Sequence, residues 1–120
     1  MTTPAKLNLT IYQGATFRKR MVWKVKKTGV PVDLTGCTAR MQVREEIESP
    51  IVLLSLTTEN GGIALGGVDG TVDLYLDDGD TEAIKSWQSG KWDLEIVHPG
   101  GDVTRLVQGS ISVSWEVTRA

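Results

Sequence analysis

The chain is poor in the residues that most often carry metal-dependent or nucleophilic chemistry. It contains one cysteine, Cys37, and one histidine, His98, among 120 residues. A single thiol excludes an intramolecular disulfide and a cysteine-based zinc cage, because both need further cysteines. Catalytic triads and most metal sites likewise need a second histidine or a cysteine close by. The inventory therefore argues against an enzyme and predicts neither a cofactor nor a metal site.

Long apolar runs are also absent. The longest, at residues 51–54, has four residues, whereas a membrane-spanning helix needs about 20. The N-terminus lacks the hydrophobic region of a signal peptide, so we expect no membrane partner. Hydrophobic residues make up 40% of the chain and charged residues 23%, which is typical of a globular protein. We expect residues 1–120 to form a single domain, with residues 1–5 as a flexible N-terminal arm.

The sequence does have a period of two. In residues 37–44 small or apolar side chains alternate with polar ones, which is typical of a half-buried strand and turns Arg40 and Arg44 toward solvent or a partner. Alternation or a short apolar run predicts further strands at residues 7–11, 16–27, 51–56, 71–76, 92–97 and 103–117. Glycine-containing segments between them favour hairpin turns. The expected fold is an all-β, antiparallel, immunoglobulin-like β-sandwich of about seven to eight strands.

One segment departs from this period. In residues 80–87 the side chain of Asp80 could cap a helix, and Ile84 and Trp87 are three residues apart on one face. We expect one short helix near residues 80–87 that closes an end of the sandwich. Calcium binding is an alternative for the acidic residues of this region, but their spacing does not match an EF-hand loop and favours a turn, a cap and a solvated edge; these residues are Asp73, Asp77, Asp78, Asp80 and Glu82.

Charge is distributed unevenly along the chain. Residues 1–44 carry nine lysines and arginines against one acidic residue, and the remaining 76 residues carry four basic and fourteen acidic ones. Either strands from the two halves interleave and pair opposite charges across a sheet, or the basic face of one copy docks on the acidic face of another. Nucleic acid is disfavoured as a partner by the pI of about 5.3, because phosphate binding needs a dominant basic surface.

The segment Ile51-Val52-Leu53-Leu54 places apolar side chains on both faces of one predicted strand. Such a strand is either covered on both sides or lies at a subunit interface, and the small size of the domain favours the interface. The predicted contact surfaces are residues 17–27, 40–54 and 71–78. Their candidate interface residues are Arg18, Arg20, Lys24, Lys26, Arg40, Arg44, Ile51, Val52, Leu53, Leu54, Asp73 and Asp77.

The aromatic residues and the histidine favour structural roles. Trp23, Trp92 and Trp115 lie in phase with the apolar sides of their predicted strands, which favours core packing over ligand stacking or a protein interface. His98 precedes Pro99 at a predicted hairpin tip. It is interpreted as a turn residue unless another side chain lies beside it as a partner.

Several turn-and-strand segments carry a family resemblance. Residues 31–36, Pro-Val-Asp-Leu-Thr-Gly, lead into the alternating strand 37–44, and the later segments are 56–63, 70–72, 92–96, 103–109 and 115–119. With these segments, most of residues 10–119 resembles small structural proteins of tailed bacteriophages and prophages. Gln13-Gly14 and the Asp-Leu-Thr-Gly turn are similar to the N-terminal sandwich domain of phage upper baseplate proteins. The shared motifs contain no catalytic residue.

This resemblance implies a non-enzymatic virion protein of the tail, neck or baseplate that is assembled in the host bacterial cytoplasm. Its implied partners are other phage structural proteins and further copies of itself, and its implied role is assembly, including the anchoring of tail fibres or receptor-binding proteins. A capsid decoration protein, which would bind heads rather than tails, is one alternative. A carbohydrate-binding module is another, and it would need at least one exposed tryptophan.

Overall fold

The computed structural model describes residues 4–118 and arranges them in two β-sheets packed face to face. The strands, numbered in chain order, are Ala5–Lys6 (β1), Leu9–Tyr12 (β2), Phe17–Val22 (β3), Thr38–Arg44 (β4), Leu54–Thr57 (β5), Ile63–Leu65 (β6), Thr71–Leu76 (β7), Ser89–Val97 (β8) and Val103–Ser114 (β9). The larger sheet has the order β1-β9-β8-β4-β5, with β2 also paired to β9, and the smaller has the order β3-β7-β6. The prediction of an all-β immunoglobulin-like sandwich is confirmed, because this order matches the two sheets of that fold.

The two sheets meet through one side of each strand. In β4 the side chains of Ala39, Met41 and Val43 are buried and the residues between them face outward. In β8 the buried side chains are Trp92, Leu94 and Ile96. Val72, Leu74 and Leu76 of β7 cover them from the smaller sheet as part of one continuous apolar core. Burying apolar surface stabilises the sandwich by about 25 cal/mol per Å², so the alternation seen in the sequence is the main determinant of these strands.

The sandwich is antiparallel, as predicted, except at its N-terminal edge. Both β1 and β2 pair with β9 in parallel. Between them the chain passes over Gly109, where a Cβ atom would overlap the carbonyl oxygen of Leu7. The same oxygen accepts a hydrogen bond from Nε1 of the buried Trp92 at 3.0 Å. Glycine at position 109 is thus required by the close approach of two backbones.

Several predicted boundaries are shifted. The strand predicted over residues 16–27 ends at Val22, after which Lys24 forms only a single bridge to Pro31. The strand predicted over residues 103–117 ends at Ser114. Two short strands, β1 and β6, were not predicted, since two or three residues carry too little alternation to be recognised.

The short helix also begins earlier than predicted. It spans Asp78–Glu82 (α1), and its N-cap is Asp77, whose carboxylate accepts a hydrogen bond from the backbone N–H of Asp80 at 2.7 Å. Asp80 is therefore inside the helix and does not cap it. A single 3-10 turn at Gly67–Asp69 precedes β7.

Of the flexible arm predicted over residues 1–5, residues 1–3 lie outside the described residues. Ala5 belongs to β1 and pairs with Val107, so the prediction of an arm reaching residue 5 is wrong at that position. The reason is the unpaired edge of β9, which a two-residue segment can extend by backbone hydrogen bonding.

Gly109→Ala tests the backbone crossing at the N-terminal edge. The added methyl group would have to displace the Leu7 carbonyl and with it the hydrogen bond of the Trp92 indole. We expect a loss of about 1–3 kcal/mol in the free energy of unfolding, the usual cost of overpacking, together with changed tryptophan fluorescence. Gly100→Ala is the matched control, because a Cβ atom there meets nothing within 4 Å. Equal denaturant midpoints for the two variants would contradict this account.

Candidate functional site: a charged groove on the larger sheet

An open groove of about 920 Å³ lies on the outer face of the larger sheet. Its floor consists of the outward-facing side chains of β4, β8 and β9, and residues 6–8 and Ile47 form its borders. Cross-strand register arranges the floor in three rows, Arg40-Glu95-Arg105, Gln42-Asp93-Gln108 and Arg44-Lys91-Ser110. The alternation that buries Trp92, Leu94 and Ile96 therefore also turns the charges of β8 into the groove.

The first row pairs opposite charges. Nε of Arg40 donates a hydrogen bond to Oε1 of its cross-strand partner Glu95 at 2.8 Å. Nε of Arg105 lies 3.6 Å from Oδ2 of Asp93 in the neighbouring row. These exposed ion pairs each contribute about 0.2–1 kcal/mol, so this end of the groove is close to electrically balanced.

The middle row contains a carboxylate in an unfavourable position. Asp93 is half-buried, and the resulting loss of solvation raises its pKa above the ordinary aspartate value. The charge of Arg105 opposes this shift, and the nearby carboxylate of Glu95 adds to it. Ionised Asp93 is therefore held at a cost on the groove floor.

The third row places two positive charges directly opposite each other. Arg44 of β4 and Lys91 of β8 are cross-strand partners. Arg44 donates hydrogen bonds to the backbone oxygen of Ser49 at 2.7 Å and to Oε1 of Gln42 at 2.9 Å. Nζ of Lys91 lies 3.3 Å from Oγ of Ser110. All these acceptors are neutral, and within residues 4–118 neither cation forms a salt bridge. The charge of Arg44 also favours the ionised form of Asp93 in the middle row, but two cations at this end of the groove leave an excess of positive charge.

The structure brings only two of the twelve predicted interface residues, Arg40 and Arg44, into this groove. The sequence interpretation missed their neighbours Lys6, Lys91, Asp93 and Arg105. The alternation of residues 91–96 does carry the signal that Lys91 and Asp93 face outward. It does not tell which strands lie beside β8, because strand order depends on contacts between distant parts of the chain.

Three predicted residues lie together on the outer face of the smaller sheet. Arg20 and Asp73 are cross-strand partners and form two hydrogen bonds, at 2.7 and 2.9 Å. The guanidinium of Arg18 lies over the ring of Tyr75, 4.8 Å from its centroid. These contacts satisfy the charges within one chain, as expected if the two differently charged halves interleave.

Three other predicted residues occupy connections between strands. Lys24 and Lys26 are exposed between β3 and β4 and are not among the residues that line the groove. Asp77 caps α1. Its carboxylate has a structural role in the helix, and its part in an interface stays a prediction, as it does for the other residues of the set.

The prediction that residues 51–54 form a strand with two apolar faces is wrong. Ile51 and Val52 precede β5 in an irregular segment, and their side chains are 65% and 38% exposed. Leu53 and Leu54 are half-buried and pack against the core. The backbone N–H of Leu53 already donates to the Val43 oxygen at 2.7 Å, so the connection turns back toward β4 before the strand begins.

His98 does have a neighbouring side chain, as its alternative interpretation required. Its Nδ1 lies 3.8 Å from Sγ of Cys37, its Nε2 lies 3.0 Å from Oγ1 of Thr104, and its ring centroid is 6.0 Å from that of Trp23. Burial raises the pKa of the Cys37 thiol, and the charge of Asp33 raises it further. A protonated thiol is a poor nucleophile, so the contact packs one end of the sandwich and does not activate a thiolate.

The four tryptophans differ in how deeply they are buried. Trp92 is buried, Trp23 and Trp87 are half-buried against the core, and Trp115 lies beyond the end of β9 and is 40% exposed. The expectation of core packing therefore fails for Trp115, because β9 ends one residue before it.

Residues 4–118 include no helix with the length and apolar character needed to cross a membrane. In the same residues no three His, Cys, Asp or Glu side chains are grouped so that they could hold a metal ion.

Asp93 and Asp73 give a matched test of the electrostatics, because their pKa values are shifted in opposite directions. Burial raises the pKa of Asp93, so the native state binds the Asp93 proton more tightly than the unfolded state does. Ionisation of Asp93 therefore makes the fold less stable as pH rises from about 4 through its native pKa. The hydrogen bonds from Arg20 lower the pKa of Asp73, so its contribution to stability is present above about pH 4 and is lost as pH falls toward its native pKa.

We therefore expect Asp93→Asn to raise the free energy of unfolding at neutral pH, with a smaller gain under acidic conditions. Asp73→Asn should lower it at neutral pH, and this loss should shrink in acid. Denaturant titrations between about pH 3 and pH 8 measure both trends across the ordinary aspartate pKa. If Asp93→Asn destabilises the protein as much as Asp73→Asn at neutral pH, the assignment of Asp93 is wrong.

No protein-family model and no curated protein sequence matches the chain. Among solved structures, the N-terminal domain of phage TP901-1 ORF48 is similar with a TM-score of 0.53 and 12% identity over 94% of this chain and 91% of that one. An extracellular domain of a voltage-gated sodium channel beta4 subunit has a TM-score of 0.47 and 9% identity over 98% of both chains. A further sodium channel beta subunit structure has a TM-score of 0.49 and 9% identity over 95% and 96%. The likeness to the phage domain extends over nearly the whole sandwich and concerns its fold.

Proposed function

We propose that this protein is a non-enzymatic structural protein of a tailed-bacteriophage virion, located in the tail, neck or baseplate. The observation that carries the proposal is the shared fold with the N-terminal domain of phage TP901-1 ORF48 over 94% of the chain. The turn-and-strand segments of residues 10–119 support it independently, because they resemble phage structural proteins. Under this proposal the chain is assembled into particles in the bacterial cytoplasm.

The groove on the larger sheet suits a role in protein–protein assembly. It is wide and open, and its floor is made of charged and amide side chains on three adjacent strands. Fixed charges on a rigid sheet favour one orientation of a partner and oppose others. Other virion proteins are the proposed partners, and anchoring of tail fibres or receptor-binding proteins is the proposed consequence.

The proposal is tested by measuring whether purified particles contain the protein. Particles released by cells that carry the gene are separated into heads, tails and complete virions, and each fraction is analysed by mass spectrometry. We expect the protein in complete virions and tails at a fixed ratio to the major tail protein. Its presence in heads alone would instead identify a capsid decoration protein, and its absence from all particles would overturn a virion role.

A groove variant makes this test specific. Arg40→Glu with Arg44→Glu should reduce incorporation into particles, since both charges lie in the groove. Lys24→Glu with Lys26→Glu changes the net charge equally at two candidate interface residues that lie outside the groove lining. If the groove is the assembly surface, this variant leaves incorporation unchanged, whereas a loss of incorporation in this variant alone would place the contact at residues 24–26. Equal incorporation of both folded variants would remove the groove from the proposed assembly surface.

A further inference from the structure

We propose that the positively charged end of the groove binds the acidic segment Asp77–Glu82 of a second copy of this chain. This end, called here the basic end, consists of Lys6, Arg44 and Lys91. The inference deepens the proposed function by naming a partner for an assembly protein, and it relies on that function only for the assumption that the groove binds protein.

The basic end has an excess of positive charge that no salt bridge within the described residues neutralises. Arg44 and Lys91 are direct cross-strand partners, and two like charges in this position destabilise a sheet. Within residues 4–118 none of Lys6, Arg44 and Lys91 forms a salt bridge. Glu45 and Glu46 line a smaller hollow next to Lys91, but they lie beyond ion-pair distance. A carboxylate placed between Arg44 and Lys91 would relieve their repulsion.

Arg44 is also oriented for such a ligand. Its Nη1 donates to the Ser49 oxygen and its Nη2 to the Gln42 side chain. These two neutral acceptors hold the guanidinium in place and do not neutralise its charge. Little side-chain freedom remains to be lost when an anion binds, and this lowers the cost of association.

The charges of the groove determine which surface of a second copy fits. Five cationic and two carboxylate side chains line it, leaving a formal excess of three positive charges. The whole chain has a formal net charge of −2, so the rest of the chain carries a formal excess of five negative charges. Two grooves facing each other would repel, whereas a groove and an acidic surface attract. The contact therefore joins two different patches, either reciprocally in a two-fold dimer or successively in a ring.

The segment at α1 is the acidic surface best prepared for this contact. Asp78 and Asp80 are exposed in its first turn, and neither forms a salt bridge with any residue in the described range. The turn is held rigidly, because Oγ1 of Thr81 donates to the Ala15 oxygen at 2.9 Å and accepts from the N–H of Gly14 at 3.0 Å. Capping by Asp77 fixes its start. Two carboxylates are thus presented on a preorganised turn.

Self-association of the purified full chain tests the inference. Sedimentation equilibrium is measured over a range of concentrations, from about 0.01 M to about 1 M salt, where the screening length falls from about 30 Å to about 3 Å. We expect association at low salt that weakens steadily as salt is added. Arg44→Glu with Lys91→Glu, and separately Asp78→Lys with Asp80→Lys, should each weaken it by about tenfold or more. Mixing these two variants should restore association, because each then offers the charge that the other lacks.

Two further variants keep the result interpretable. Lys24→Glu with Lys26→Glu matches the charge change of the groove variant at two candidate interface residues that this contact does not use, so it should leave association intact, and a loss of association as large as that of the groove variant would overturn the inference. Asp78→Asn with Asp80→Asn removes the carboxylates while keeping the cap and avoids placing cations at a helix N-terminus; it too should weaken association.

A protein that stays monomeric at low salt and high concentration would overturn the inference, as would association that the charge-swapped pair fails to restore. Neither result bears on whether the protein is found in virions. Failure of this inference is therefore distinguishable from failure of the proposed function.

Discussion

The register of β8 between β4 and β9 determines both the core and the outer surface of this protein. Trp92, Leu94 and Ile96 face the smaller sheet, so Lys91, Asp93 and Glu95 must face outward. A shift of one residue would exchange the two sets and bury three charges. The free energy that specifies the groove is therefore the same free energy that buries the core, and the charged rows need no separate stabilising device.

This arrangement explains what becomes of the uneven charge along the sequence. Basic residues of the first half lie in β3 and β4, and acidic residues of the second half lie in β7 and β8, which are their neighbours. Interleaving produces the pairs Arg20-Asp73 and Arg40-Glu95. It is incomplete at Arg44, which meets Lys91. The two interpretations of the charge pattern thus apply to different places. Cross-strand pairing accounts for Arg20-Asp73 and Arg40-Glu95, whereas docking by a second copy is proposed where the like charges of Arg44 and Lys91 lie opposite each other.

Alternation in the sequence was sufficient to predict the sandwich and the strands whose inward residues form its core, because burial acts on each strand locally. It could not predict the parallel pairing of β1 and β2, since their partner β9 lies about a hundred residues away in the sequence. The apolar segment at residues 51–54 misled for a related reason, because hydrophobicity alone does not show where backbone hydrogen bonds begin. For the groove, Arg40 and Arg44 were predicted to face outward, but their neighbours depend on strand order. The contact between Cys37 and His98 likewise joins two loops that no local pattern connects.

The repulsion between Arg44 and Lys91 is measured most directly by a double-mutant cycle. Each residue is replaced by glutamine singly and together, and the free energy of unfolding is determined in dilute solution at low salt, with Arg40 and Glu95 as the reference cycle. The account predicts an unfavourable coupling between Arg44 and Lys91 and a favourable coupling of about 0.2–1 kcal/mol between Arg40 and Glu95. A favourable coupling between Arg44 and Lys91 would contradict it, because the basic end would then already be neutralised within the chain.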